Sequence, residues 1–183
     1  MLRLFVALGL PESIKQSLIA LQTSIPSTRW VQPQTLHLTL RFIGDVEDNR
    51  VDTLKTRLSQ VKPPAFDMRL HGSGRFPLNP QKAPRVLWIG VDAPPALHTL
   101  QQKIEDTLQV MDFPPNNKPF KSHITLARIK AKKPLPEVGH FLDAHADFAT
   151  ERFHVQEFLL LSSMLTPQGS QYTHIVSFPL IGA

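Results

Sequence analysis

The chain has 183 residues, 42% of them apolar, with 11 Phe and 2 Trp. That is enough for one globular core burying roughly 70% of the unfolded surface. It contains no cysteine, which excludes disulfides, zinc–thiolate centres and cysteine nucleophiles and is compatible with a reducing cytoplasm. A net charge of +5 gives a modest bias toward polyanions such as RNA.

In chain order, the opening apolar run to Pro11 is too short for a membrane helix. It also has no signal-peptide cleavage pattern, so Arg3–Leu8 reads as a core strand of a cytoplasmic protein. Pro11 suits a first helical turn, and Ile14, Leu18, Leu21 and Ile25 recur at helical spacing up to Pro26. A connection through Trp30, Val31 and Pro33 leads into a strand over Thr35–Phe42, broken by Gly44 and Asp45. A second helix starts at Asp48, buries Val51, Leu54, Leu58 and Val61, and ends at Pro63–Pro64.

Phe66, Met68 and Leu70 alternate with polar residues as in a half-buried strand. Gly72–Gly74 and Pro77–Pro84 read as loop. Arg85–Val91 is a strand, and Pro94–Pro95 opens a third helix with Leu97, Leu100, Ile104 and Leu108 on one stripe. A breaker-rich connection, Phe113–Pro119, precedes a strand over Phe120–Ile129. The tail holds a short helix at Glu137–Leu142, a strand at Phe153–Ser162, a turn at Pro167–Gln168–Gly169 and a last strand at Tyr172–Leu180. The expected fold class is α+β, in one domain spanning 1–183.

Two tetrapeptides stand out, His37-Leu38-Thr39-Leu40 and His123-Ile124-Thr125-Leu126, 86 residues apart. Strand side chains alternate faces, so each His/Thr pair projects from one face while its apolar neighbours enter the core. Each tetrapeptide follows the same sequence of strand, amphipathic helix and Pro-rich connection. This architectural duplication points to two similar halves facing one another across a cleft. A lone His-x-Thr carries no signal; two copies in matching positions do. The other histidines, His71, His98, His140, His145, His154 and His174, lack that context and read as surface or structural residues.

Two imidazoles and two hydroxyls suit cleavage of a phosphodiester, which needs one proton taken from the nucleophile and one given to the departing oxygen. Imidazole does either near neutral pH, and stiff β-branched hydroxyls can donate to the phosphoryl oxygens. A metal site fits poorly, because neither motif carries an acidic partner and zinc normally takes at least three protein ligands. Arg128 could clamp phosphate in a bidentate fork. In an unbroken strand, however, it has the opposite parity to His123 and would point away unless the strand ends or bulges after Leu126. Arg41 has the right parity with His37 and Thr39 and is the second cationic candidate. Trp30, Phe42, Phe76 and Phe120 flank the motif segments; most read as core, and none is assigned a stacking role.

The chain resembles the two-histidine phosphoesterases, and in particular the RNA 2′,3′-cyclic phosphodiesterases long called 2′-5′ RNA ligases. The resemblance rests on Arg3-Leu-Phe-Val-Ala7, Leu36–Gly44, Arg85–Gly90, Ser122–Arg128, Ser163–Gly169, Tyr172 and Phe178–Leu180. It implies a bilobed α+β fold, two pseudo-symmetric lobes of antiparallel sheet with helices outside and the active-site cleft between them. It implies metal-free, cofactor-free hydrolysis of RNA 2′,3′-cyclic phosphate ends to 2′-phosphomonoesters. His37 would be the general acid and His123 the general base. Thr39 and Thr125 would hold the phosphoryl oxygens, helped by Arg128. The residues alone do not distinguish the two histidines. The expected partners are RNA 3′ ends or nucleotide cyclic phosphates, acted on by a monomer with no membrane association. Three alternatives stay open: 2′-5′ ligation as the reverse reaction, a small cyclic nucleotide as substrate, and a basic RNA-binding module whose motifs are structural.

Overall fold

The computed structural model describes residues 1–167 and 169–182, so Gln168 of the expected turn lies outside the described residues. The elements in the first half are β1 (Leu2–Gly9), α1 (Glu12–Ile19), β2 (Thr28–Trp30), β3 (His37–Val46), α2 (Asp48–Leu58) and β4 (Phe66–Phe76). The second half holds β5 (Val86–Asp92), α3 (Pro95–Val110), β6 (His123–Ile129), α4 (Pro136–Ala144), β7 (Phe153–Val155), β8 (Glu157–Thr166) and β9 (Gly169–Pro179). The class is α+β, as the element pattern implies. The strands form one nine-stranded sheet in the order β7-β4-β5-β6-β3-β1-β8-β9, with β2 added along β6. Every strand pair in it is antiparallel.

The halves repeat one plan and exchange a strand. After β1-α1-β3-α2, the chain leaves its own half and lays β4 against β5. After β5-α3-β6-α4 and the short β7, it returns to lay β8 against β1. Each lobe is thus completed by a strand from the other half. The lobes meet where β3 and β6 pair through a single rung, Leu38 opposite Ile124.

Proline and period account for the helices. Pro11 and Pro94 cap α1 and α3, and Pro95 and Pro136 occupy first-turn positions where no amide partner is needed. Their apolar stripes (Ile14 and Leu18; Leu54 and Leu58; Leu100, Ile104 and Leu108; Val138 and Phe141) all enter one core. There they meet Leu4, Val6, Leu8, Leu38, Leu40, Leu87, Ile89 and Ile124 from one face of the sheet. A second, small cluster of Phe5, Ala7 and Leu161, with Tyr172 against it, sits on the opposite face.

Several boundaries differ from the sequence expectation. Helix α1 ends at Ile19, and Ile25 is buried from the connection instead. Strand β3 runs through Gly44–Asp45 to Val46. Strand β4 runs through the expected Gly72–Gly74 loop to Phe76, because a register irregularity between Leu70 and Ser73, with Gly72 at φ +71, absorbs the glycines as a bulge. The expected strand Phe153–Ser162 is split at Gln156, its first part pairing with β4 and its second with β1. One residue therefore connects strands near opposite ends of the sheet, which requires the sheet to curl. The chain end closes the curl: the Ala65 N–H donates to the Ile181 carbonyl (2.9 Å) and the Ile181 N–H to the Pro63 carbonyl (3.0 Å).

Because each lobe borrows a strand, the lobes should not unfold separately. Calorimetry is expected to show one transition with calorimetric and van't Hoff enthalpies equal. Two resolved transitions would show that each lobe is self-sufficient.

Candidate active site

Residues flanking the Leu38–Ile124 rung bring the two motifs together. In the antiparallel register that this rung sets, His37 lies on the side of Thr125 and Thr39 on the side of His123. Leu38, Leu40 and Ile124 are buried, whereas the four motif side chains on the other face are half-exposed. The period-two reading of each tetrapeptide therefore holds over its four residues.

Immediately beyond, both strands bulge. In β3 the register steps from Ala7↔Thr39 to Val6↔Arg41, leaving Leu40 as the extra residue. In β6 it steps from Trp88↔Thr125 to Leu87↔Ala127, leaving Leu126 as the extra residue. A bulge reverses the parity of everything after it. Arg128 is thereby turned onto the face of His123 and Thr125, exposed, at the wall of a recess it shares with Phe5, Thr35, Phe42 and Tyr172.

The same device overturns the expectation for Arg41. Its parity argument assumed an unbroken strand, and the bulge at Leu40 sends its side chain into the core instead, where it is 5% exposed. There Arg41 Nε donates to Glu105 Oε2 of α3 at 2.6 Å, and its other nitrogens donate to the carbonyls of Phe42 and Pro114. Glu105 Oε1 accepts from the Asn116 N–H at 3.1 Å. Arg41 thus ties the Pro-rich connection before β6 to β3, its guanidinium engaged with partners inside the protein.

Each histidine is oriented from two residues upstream. A carbonyl can only accept, so His37 Nδ1–H donates to the Thr35 carbonyl (2.6 Å) and His123 Nδ1–H to the Lys121 carbonyl (2.7 Å). Both Nε2 atoms are left for the cleft. That of His37 lies 3.0 Å from Thr39 Oγ1, and in the neutral ring it accepts the threonine proton.

Aromatic rings hold both imidazoles. Phe5 and Tyr172 flank His37 at centroid distances of 5.1 and 5.2 Å. Phe76 and Trp88 flank His123 at 5.1 and 6.2 Å. Trp88 reaches its place because Gly74 lies across from it; a Cβ there would sit 2.0 Å from the indole. Phe76, Trp88, Phe120 and Lys121 line a second recess, of about 300 Å³, beside His123. Phe42, 59% exposed, faces the larger recess of about 500 Å³ on the His37 side. Trp30 also lines that recess, while its ring packs on Phe141 and its Nε1–H donates to the Thr23 carbonyl. Phe5, Trp88 and Tyr172 carried no local signal as site residues, since an aromatic in a strand reads as core until its partner strand is known.

Burial lowers the His37 pKa below the usual 6.5, as the largest influence. The bond to the Thr35 carbonyl opposes this, and the His123 and Arg128 charges lower the pKa further. Free His37 therefore favours the neutral ring. Among the described residues no group of three or more His, Cys, Asp or Glu side chains is placed to hold a metal ion.

The profile described as LigT like Phosphoesterase matches the chain twice, at residues 8–88 and 89–172, one match to each half. A Thermus thermophilus protein named RNA 2′,3′-cyclic phosphodiesterase is 37% identical, covering 99% of this chain and 91% of that one. An Archaeoglobus fulgidus protein of the same name is 33% identical over 97% of this chain and 99% of its own. Among solved structures, TT0787 of Thermus thermophilus superposes with a TM-score of 0.80 at 29% identity, and E. coli LigT complexed with 3′-AMP with 0.79 at 26%. Both superpositions cover 98% of each chain.

Two outcomes are expected from the geometry. Removing one partner of the buried pair, as in Glu105→Ala, should cost about 3–5 kcal/mol in urea unfolding, and Arg41→Ala should act on stability rather than on KM. A KM effect without loss of stability would restore Arg41 to the site. In an NMR titration of the free protein, His37 should lose its proton below pH 6.5, and Tyr172→Ala, by admitting water, should raise that midpoint.

Proposed function

This chain belongs to the LigT-like phosphoesterase family, and on that premise we propose that it hydrolyses RNA 2′,3′-cyclic phosphate ends to 2′-phosphomonoesters. It works as a cytoplasmic, single-domain monomer and needs no metal or cofactor. The observation that carries this assignment is the pair of histidines flanking one β rung, each anchored through Nδ1 to the carbonyl two residues upstream, with His37 Nε2 beside the Thr39 hydroxyl. The names of the Thermus and Archaeoglobus relatives supply the substrate class.

In the proposed reaction His123 Nε2 takes a proton from water as its oxygen attacks phosphorus. The bond from phosphorus to O3′ breaks, and His37 Nε2 gives its proton to that oxygen. Charge building on the non-bridging oxygens is met by the hydroxyls of Thr39 and Thr125 and by the guanidinium of Arg128. The acid role requires a protonated His37, which burial disfavours in the free protein. A bound phosphodiester anion reverses that balance by placing an opposite charge against the ring, so His37 gains its proton as substrate binds. With a 5′-hydroxyl in place of water as the nucleophile, the same steps would join RNA ends through a 2′-5′ phosphodiester; the concentration of water favours hydrolysis.

The test is a short RNA ending in a 2′,3′-cyclic phosphate, incubated in EDTA. Conversion to a 2′-phosphate end is expected, reduced by about 10²–10⁴ in His37→Ala and in His123→Ala. No conversion by folded wild type, while a small cyclic nucleotide is cleaved, would move the substrate class. An aryl phosphodiester, whose phenolate leaves without a proton, should restore rate to His37→Ala and not to His123→Ala. The opposite pattern would exchange the two roles.

A further inference from the structure

Strand β2 is three residues long and pairs with β6 so that Arg29 lies directly opposite Arg128. Direct partners in an antiparallel pair share a face, with Cα atoms about 5 Å apart. Two exposed guanidinium-bearing side chains therefore leave the sheet side by side and line the same recess of about 500 Å³. Like charges set directly opposite destabilise a strand pair. Neither arginine takes part in an ion pair among the described residues.

Arg75 of β4 donates to the Pro77 and Lys82 carbonyls, and two further strand arginines meet carboxylates. Arg69 is opposite Asp92 and bonds it at 2.9 Å, Arg41 meets Glu105, and Arg3, at the same recess, has Asp45 as its cross-strand partner. Arg29 is also well placed to grip something spanning the mouth of the recess. A Cβ built on Gly169, in the β8–β9 hairpin of the other lobe, would stand 3.5 Å from Arg29 Cζ. The hydroxyl residues Ser163, Thr166 and Ser170 line the recess on that side.

Taking the reaction above as given, we infer that Arg29, together with Arg128, holds the phosphodiester immediately 5′ of the reacting end. Arg128 stands about 7 Å along β6 from Thr125 once the bulge is discounted, and Arg29 lies one strand further out. The pair thus offers an anion site about one nucleotide step from the phosphoryl group under attack. The five N–H donors of Arg128 let it serve both phosphates. An anion between the two guanidiniums removes the repulsion that the empty pair carries. The site consequently selects an RNA end over a free nucleoside cyclic phosphate.

Three substrates test this: a nucleoside 2′,3′-cyclic phosphate, the same compound carrying a 5′-phosphate, and a dinucleotide ending in the cyclic phosphate. Wild type should favour the second and third over the first by about tenfold or more in kcat/KM, the worth of a charge-assisted contact. Arg29→Ala should erase most of that preference through KM, and Arg29→Lys should recover part of it. For the dinucleotide, the slope of log(kcat/KM) against log[salt] should become shallower in Arg29→Ala by about 0.7 per lost contact. The Tm of Arg29→Ala should equal or exceed that of wild type, because the like-charge pair is gone. An equal loss on all three substrates, a fall in Tm, or an effect confined to the dinucleotide (a base or sugar contact) would overturn the inference. If folded wild type turned over none of the three, the proposed reaction would fall first and this inference with it.

Discussion

The site depends on one cross-strand contact, Leu38 against Ile124. Both side chains are fully buried, each contributing about 1.5–3 kcal/mol of burial, and they are packed from the helical side by the shared core. With no second rung, the strands are free to splay, which opens the sheet on its other face. That contact is the rung at which β3 meets β6, and it sets the register of the two motifs. Side chains carried by strands and clamped from below are held more closely than loop residues would be.

The second constraint is the pair of matching bulges. Leu40 and Leu126 close their motifs at the same position and have the same effect on the backbone, yet the residues that follow differ. Arg41 and Ala127 turn inward; Phe42 and Arg128 turn outward. A duplicated scaffold thereby gives an asymmetric site, with an aromatic ring at the mouth on one side and a cation on the other. The histidines are asymmetric for a related reason. His37 sits against Phe5 and Tyr172 and is depressed in pKa chiefly by burial, whereas His123 lies among Phe76 and Trp88.

The exchanged strands explain how so open a cleft stays rigid. β4 and β8 each complete the sheet of the half to which they do not belong, and Gln156 and Ile181 tie the two ends of the curl together. Opening the lobes would pull on the Gln156 connection and on the main-chain bonds between Ile181 and the Pro63–Ala65 segment. At the walls of the larger recess Arg3, Arg29 and Arg128 supply charge and Phe42 supplies an apolar face.

Much of this was legible in the residues taken in order. A histidine and a threonine two apart share a face in any strand, so the make-up of each motif face follows from local geometry alone. Helical period and prolines located α1 through α4, and two equivalent motif contexts announced the duplication. Parity beyond Thr39 and Thr125 could not be read this way, because a bulge is a property of two paired strands. Arg41 was therefore assigned to the wrong face, and Arg128 looked turned away. β2 is too short to signal itself, so the pairing that sets Arg29 beside Arg128 was invisible, as was the division at Gln156. Side-chain facing within a strand is local and was determined by the sequence directly. Which strands pair, where they slip by a residue, and which charges consequently meet are non-local, and only the tertiary structure decided them.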